Sequence, residues 1–237
     1  MKFYVVASAV QNVKEWRKAG FHNFLFSYYY FKDPQKLLRV KEELQISWNN
    51  IFIDSGAFSA WSKGTPIKIE DYIAYIQELQ PKVYANLDVI GDWKATDQNL
   101  RIMEANGLDP LPVWHIGDPL SLFKQYLQNY DYVAIGGLVS NKVYDPKILS
   151  KIALYAKGIN PRIKLHYFGL SPRTVLKIRH LVYSSDSAVD VMIAHAQIIY
   201  EGKAQSLKGR AKTTKTYKKI GAKAFYDFLS RFPDIEV

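Results

Sequence analysis

Short runs of β-branched and aromatic residues recur along the chain: KFYVVAS (2–8), NFLFSYY (23–29), NIFIDSG (50–56), VYANLDV (83–89), LPVWHIG (111–117), YVAIGGL (132–138), IKLHYFG (163–169) and LVYSSDS (181–187). They are nearly continuous in hydrophobicity rather than alternating apolar with polar. That is the pattern of strands buried on both faces of a parallel sheet. Between them the apolar spacing turns helical. DPQKLLRVKEELQ (33–45) opens on an acid with Pro34 near its first turn and carries Leu37, Leu38, Val40 and Leu44. IEDYIAYIQELQ (69–80) gathers Ile69, Tyr72, Ile73, Tyr75 and Ile76 on one broad face. Further helical stretches are read at 94–106, 118–129, 146–158, 171–180 and 191–202. After Asp54 the next helix is read as starting only near Pro66 to Glu70.

Strands alternating with helices predict an α/β protein with a parallel sheet. Eight runs match the closing number of a (β/α)8 TIM barrel. The open doubly wound alternative usually shows a glycine-rich fingerprint after its first strand, whereas this chain continues ASAVQNV, without glycine. The expectation is one barrel domain over 1–237, with 203–237 as a basic C-terminal segment and final helix. No low-complexity linker or sequence repeat divides it.

Composition narrows the possibilities. The chain has 237 residues and no cysteine, which excludes disulfides and thiolate metal sites. His22, His166, His180 and His195 show no metal-ligand spacing, so neither metal nor cofactor is expected. The first residues, MKFYVVASAVQNVKEW, are too short in apolar length for a signal peptide, and no window approaches the ~20 apolar residues of a membrane span. A cytoplasmic location and no membrane partner are the default. A barrel of this size can form a homodimer; nothing in the sequence requires one. The formal charge of +10 favours polyanions, nucleic acid first. Between residues 203 and 219 stand Lys203, Lys208, Arg210, Lys212, Lys215, Lys218 and Lys219 with no acid among them. This is either a nucleic-acid-binding segment or a solvated basic loop.

If the barrel holds, functional groups sit where the strands end and the βα loops form a cup. Those ends carry Asp54-Ser55-Gly56, Asp88, His115, Gly136-Gly137, Tyr167-Phe168-Gly169 and Asp186. Asp54 is either a cap for the next turn or a reacting carboxyl; Gly56 and Ala57 after it remove bulk, as a flat ligand requires, and Phe58 offers a stacking face. Asp88 ends another strand. His115 reads as a ligand hydrogen-bonding group, an acid or base, or a satisfied structural residue. Asp186 and Asp190 both suit the start of a helix, with Asp186 in the cup if LVYSS is the last strand. Two carboxylates from different strands fit double displacement at a sugar carbon, one attacking the anomeric centre while the other exchanges protons.

DSGAF (54–58), LD (87–88), GGL (136–138) and HYFG (166–169) resemble, in this order, signature segments of the tRNA-guanine transglycosylase superfamily. That family is a (β/α)8 barrel exchanging a guanine for a 7-deazaguanine, and the resemblance spans roughly residues 50–190. It implies Asp54 as general acid/base and Phe58 and Phe168 as faces sandwiching the base. It further implies Asp88, with Ser55, Gly56, His115, the Gly136-Gly137-Leu138 backbone and Gly169, around the base edge. The nucleophile it implies lies near the last strand, where Asp186 is preferred to Asp190: the tRNA enzymes carry a VD shortly before their nucleophile, and at that spacing this chain has Ile193. The tRNA enzymes usually add a cysteine-rich zinc subdomain, which this chain cannot form, and they place a glutamine where His115 stands. A barrel so reduced is most similar to the 7-deazaguanine DNA transglycosylases, phage-encoded forms included. The resemblance therefore implies DNA and a base such as 7-cyano-7-deazaguanine as partners. The alternatives are tRNA as substrate, an N-glycosidase in which water replaces the incoming base, or a non-catalytic nucleic-acid-binding barrel.

Overall fold

The structure, a computed structural model, describes residues 1–138, 140–141, 143–187, 197–200, 203–206 and 214–237, with the backbone alone for 197–200, 203–206 and 214–220. Seven strands form one curled, all-parallel sheet: β1 (Lys2–Ala7), β2 (Phe24–Ser27), β3 (Ile51–Asp54), β4 (Val113–His115), β5 (Tyr132–Gly136), β6 (Lys164–Tyr167) and β7 (Ser184–Ser187), in the order β3-β2-β1-β7-β6-β5-β4. Helices lie between them: α1 (Val10–Ala19), α2 (Pro34–Glu43), α3 (Ala57–Ser62), α4 (Ile69–Leu79), α5 (Trp93–Ala105), α6 (Leu120–Asn129), α7 (Pro146–Ile159) and α8 (Pro172–Ile178). Asp33, Asp92, Asp145 and Ser171 cap α2, α5, α7 and α8 by accepting from backbone N–H groups of the first turn.

The strand pleat sorts side chains into two cores. Phe3, Val5, Phe24, Phe26, Ile51, Ile53, Val133, Ile135, Leu165 and Tyr167 pack against the helices. The residues between them, Tyr4, Leu25, Phe52 and Ala134, turn inward and meet Ala85, Leu111 and Val113 in a second cluster. Burial of both faces explains the nearly continuous apolar runs.

The run at 83–89 forms no named strand. It joins β3 through an isolated parallel bridge between Ile53 and Tyr84, and the stretch before β4 through another between Ala85 and Leu111. Its ladder is completed by a side chain: Asn86, wholly buried, accepts from the Val113 N–H at 3.0 Å and donates to the Thr96 carbonyl at 3.1 Å.

Two readings need correction. A helix begins at Ala57, directly after the DSG turn and well before Pro66; Gly56 caps it in the left-handed region at φ 78°. Residues 197–200, expected within a helix, form β8 (Gln197–Tyr200), paired antiparallel with β9 (Lys203–Ser206). The β-branched and aromatic Ile198, Ile199 and Tyr200 favour an extended backbone over a helical one. The expected final helix is α9 (Thr214–Leu229), and it is built into the fold: Phe225 is fully buried against Phe3, Trp16 and Phe21, and Lys2 bridges to Glu236. Helix α1 went unread, although Val13 and Trp16 repeat at helical spacing. No helix among the described residues is long and apolar enough to cross a membrane.

Candidate active site

The two-residue period that fills the inner core also builds the site above it. The next inward position after Tyr4 is Val6, after Leu25 Ser27, after Phe52 Asp54, after Val113 His115, after Ala134 Gly136, and after His166 Phe168. All six line one pocket of about 300 Å³ at the C-terminal ends of the strands. Asp88, Asp186, Gly56, Phe58, Gly137, Leu138 and Gly169 line it too. Ser55 is buried behind the wall and donates its hydroxyl to Asp88 Oδ1 at 2.8 Å. Asp54, Asp186 and every sequence-predicted base-binding residue are therefore in this pocket or bonded to a group that is.

Asp54 ends β3, and its Oδ2 accepts from the Gly56 N–H at 3.0 Å, so the turn-capping role expected as an alternative is present as well. Burial, and then the charges of Asp88 and Asp186, push its pKa up to about 8. The Gly56 N–H and the nearby Ser27 hydroxyl pull the other way without prevailing. Gly56 is required here on two counts: its φ is positive, and a Cβ would come within 2.4 Å of Tyr29 Cβ and 2.5 Å of Ser27 Oγ.

Asp186 lies within β7 rather than past its end, paired in register with Tyr4. Its Oδ1 accepts from the Gly169 N–H at 3.0 Å and meets His166 Nε2 at 3.2 Å. No hydrogen bond to Oδ2 occurs among the described residues. His166 is wholly buried between Phe52 and Phe168, with ring centroids 4.5 Å away in both cases. Its Nδ1 meets Ser184 Oγ at 2.8 Å, and Ser184 continues to the Tyr132 hydroxyl. His166 has no metal-ligand spacing to mark it in the sequence; its two-residue offset from Phe168 on an inward-facing strand is the signal that places it below the pocket.

Asp88 and His115 form the opposite wall. His115 Nε2 stands 2.9 Å from Asp88 Oδ2, while Asp118 accepts from the His115 backbone N–H at 2.9 Å. Burial favours the neutral imidazole, but the hydrogen bond and charge of Asp88, aided by Asp118, outweigh it and raise the pKa. The ring packs closely against the chain at Gly136, where an added Cβ would sit 2.6 Å from His115 Cδ2.

Asp190 and the basic residues Lys208, Arg210 and Lys212 lie outside the described residues, and Lys203, Lys215, Lys218 and Lys219 are placed by backbone only, on β9 and α9. No protein-family model matches this chain, and no curated protein matches it significantly.

Proposed function

We propose that this protein is a nucleobase transglycosylase that exchanges guanine in DNA for a 7-deazaguanine through a covalent Asp–deoxyribose intermediate. The observation that carries the proposal is the convergence of Asp54 and Asp186, from β3 and β7, in one base-sized pocket. In this reading the segment 83–86 acts as the eighth stave of a (β/α)8 barrel, bringing Asp88 to the mouth.

The chemistry follows from how each acid is held. With its pKa near 8, Asp54 carries a proton at neutral pH and serves as the general acid. Asp186 is anchored through Oδ1, which leaves Oδ2 to attack C1′ of the target nucleotide. As the C1′–Oδ2 bond forms, the C1′–N9 bond breaks and guanine leaves with the Asp54 proton. An incoming deazaguanine then gives its N9 proton to Asp54 and attacks C1′, which returns the Asp186 carboxylate. Water is the competitor at this stage, and a pocket filled by the second base excludes it.

Recognition falls to the opposite wall. Each Asp88 oxygen already accepts one hydrogen bond and retains a lone pair for the N–H groups of a guanine edge. The hydrogen bond and charge of Asp88 raise the pKa of His115 and so favour the protonated imidazole beside that carboxylate. Phe58 and Phe168 supply the stacking faces and the Gly136–Leu138 backbone further polar contacts. Extruding a base costs a few kcal/mol, which aromatic walls offset. The +10 charge favours the phosphate backbone.

The decisive experiment incubates the protein with duplex DNA or tRNA and 7-cyano-7-deazaguanine and reads the nucleosides by mass spectrometry. The expected result is the deazaguanine nucleoside in DNA. Its appearance in tRNA alone moves the substrate to RNA. Steady guanine release without added base makes the protein an N-glycosidase, and no reaction on either substrate overturns the proposal. A covalent adduct that disappears in Asp186→Asn and persists in Asp190→Asn assigns the nucleophile.

A further inference from the structure

A second cavity, of about 330 Å³, lies on the far side of α3 from the acid pocket. The two share a wall at Asp88 and Ile90, so α3 is a six-residue partition between them. Its sides are mostly apolar, formed by Ala57, Ala60, Pro66, Leu87 and Val89, with Trp61 beside the opening. Trp61 is 57% exposed and Phe58, on the acid-pocket side, 44%. Their rings lie 5.9 Å apart at 40°. An aromatic pair astride a thin partition leaves a large apolar area in water that folding does not use. Thr65, Asp88 and Asn99 are the polar residues of the wall; the Asn99 amide nitrogen is committed to the Leu87 carbonyl at 2.9 Å, so it offers a ligand its carbonyl oxygen.

The end of α3 adds charge. Lys63 stands 5.0 Å from the rings of both Tyr29 and Tyr30, and Lys32 5.6 Å from Tyr29. Both lysines are exposed and make no ion pair among the described residues. Tyr30 is tied to α3 through the Ser59 hydroxyl, and Tyr29 to Thr65. Flat aromatic surface beside unpaired cations is what a single nucleic-acid strand selects: bases stack and phosphates pair.

We infer that this second cavity is a subsite for the nucleobase next to the extruded one, with Trp61 as its stacking face and Lys63 holding the intervening phosphate. The inference rests on the nucleic-acid reading of the acid pocket, but it concerns binding and is tested without catalysis. A strand that places one base among the acids crosses α3 at once, and the next base meets the opening beside Trp61. Stacking is tolerant of base identity, so the subsite positions the strand rather than reading its sequence.

The test is fluorescence anisotropy with short single-stranded oligodeoxynucleotides, either intact or carrying an abasic site on the 5′ or 3′ side of the target guanine. Trp61→Ala is expected to weaken the intact oligonucleotide about 5- to 100-fold, and Trp61→Phe to retain most of the affinity. With the abasic site on the correct side the wild type loses a similar factor, and Trp61→Ala then loses nothing further. Lys63→Ala weakens all the oligonucleotides alike and lowers the salt dependence. Equal binding by wild type and Trp61→Ala, or a Trp61→Ala loss that persists undiminished at both abasic sites, overturns the inference. Base exchange with unaltered Trp61→Ala binding sinks the subsite and leaves the enzyme; the abasic signature without exchange does the reverse.

Discussion

Asp54 is a carboxyl that the fold keeps protonated, and this has a cost with a definite sign. Its folded pKa of about 8 lies above the ordinary carboxylate value, so between roughly pH 4 and pH 8 the folded state binds the extra proton. Stability contributed by this group is full in acid and declines as pH rises through that window. Asp54→Asn therefore stabilises the protein at pH 9 relative to wild type, by on the order of 2 kcal/mol once partial solvent contact is discounted, with little effect at pH 4. Thermal melts at the two pH values check this. The same substitution lowers base exchange about 10²- to 10⁴-fold by removing the proton donor, and the wild-type rate falls above about pH 8. Gly136→Ala tests the opposite wall. A methyl group 2.6 Å from the His115 ring forces it off Asp88 and costs about 1–3 kcal/mol, read by urea denaturation. The residue types at the strand ends were legible in the sequence; the His166–Asp186 contact was not, because 20 residues separate partners that only neighbouring strands bring together.

Element by element, the structure shows what periodicity can and cannot reveal. Helices α2, α4 and α7 begin and end within a residue or two of the sequence reading, since each has a long apolar stripe and α2 and α7 also carry an aspartate cap. Helix α3 was missed because six residues are too few to display a period. The segment 83–86 has strand-like composition, yet one of its links to β4 runs through the Asn86 side chain. Asn86→Ala leaves the buried Val113 N–H without its acceptor and is expected to cost about 1–3 kcal/mol. Equilibrium denaturation measures it, and faster amide exchange at Val113 than in wild type locates the loss.

For the whole molecule the governing quantity is charge. A surplus of +10 on a chain whose proposed site must take a base from a polyanion predicts binding that weakens steeply with salt. If Lys215, Lys218 and Lys219 contact phosphates, changing all three to glutamine reduces the slope of log K against log salt by about 2 to 3, at unchanged rate on saturating DNA. Titrations at several salt concentrations decide it. An unchanged slope assigns these lysines to the solvated surface.

Sequence alone determined the layering, since apolar runs too continuous for one-sided strands must be covered on both faces, and it marked the strand-end acids as out of place in a purely structural protein. Tertiary structure decided which groups meet. Curling the sheet set Asp54 and Asp186 into one mouth, where shared burial and like charge hold a proton on Asp54. It turned His166 into a support for Asp186 and placed a second cavity behind α3. Periodicity is written locally in the chain, whereas proximity between distant residues and the field they create exist only after the strands have been brought side by side.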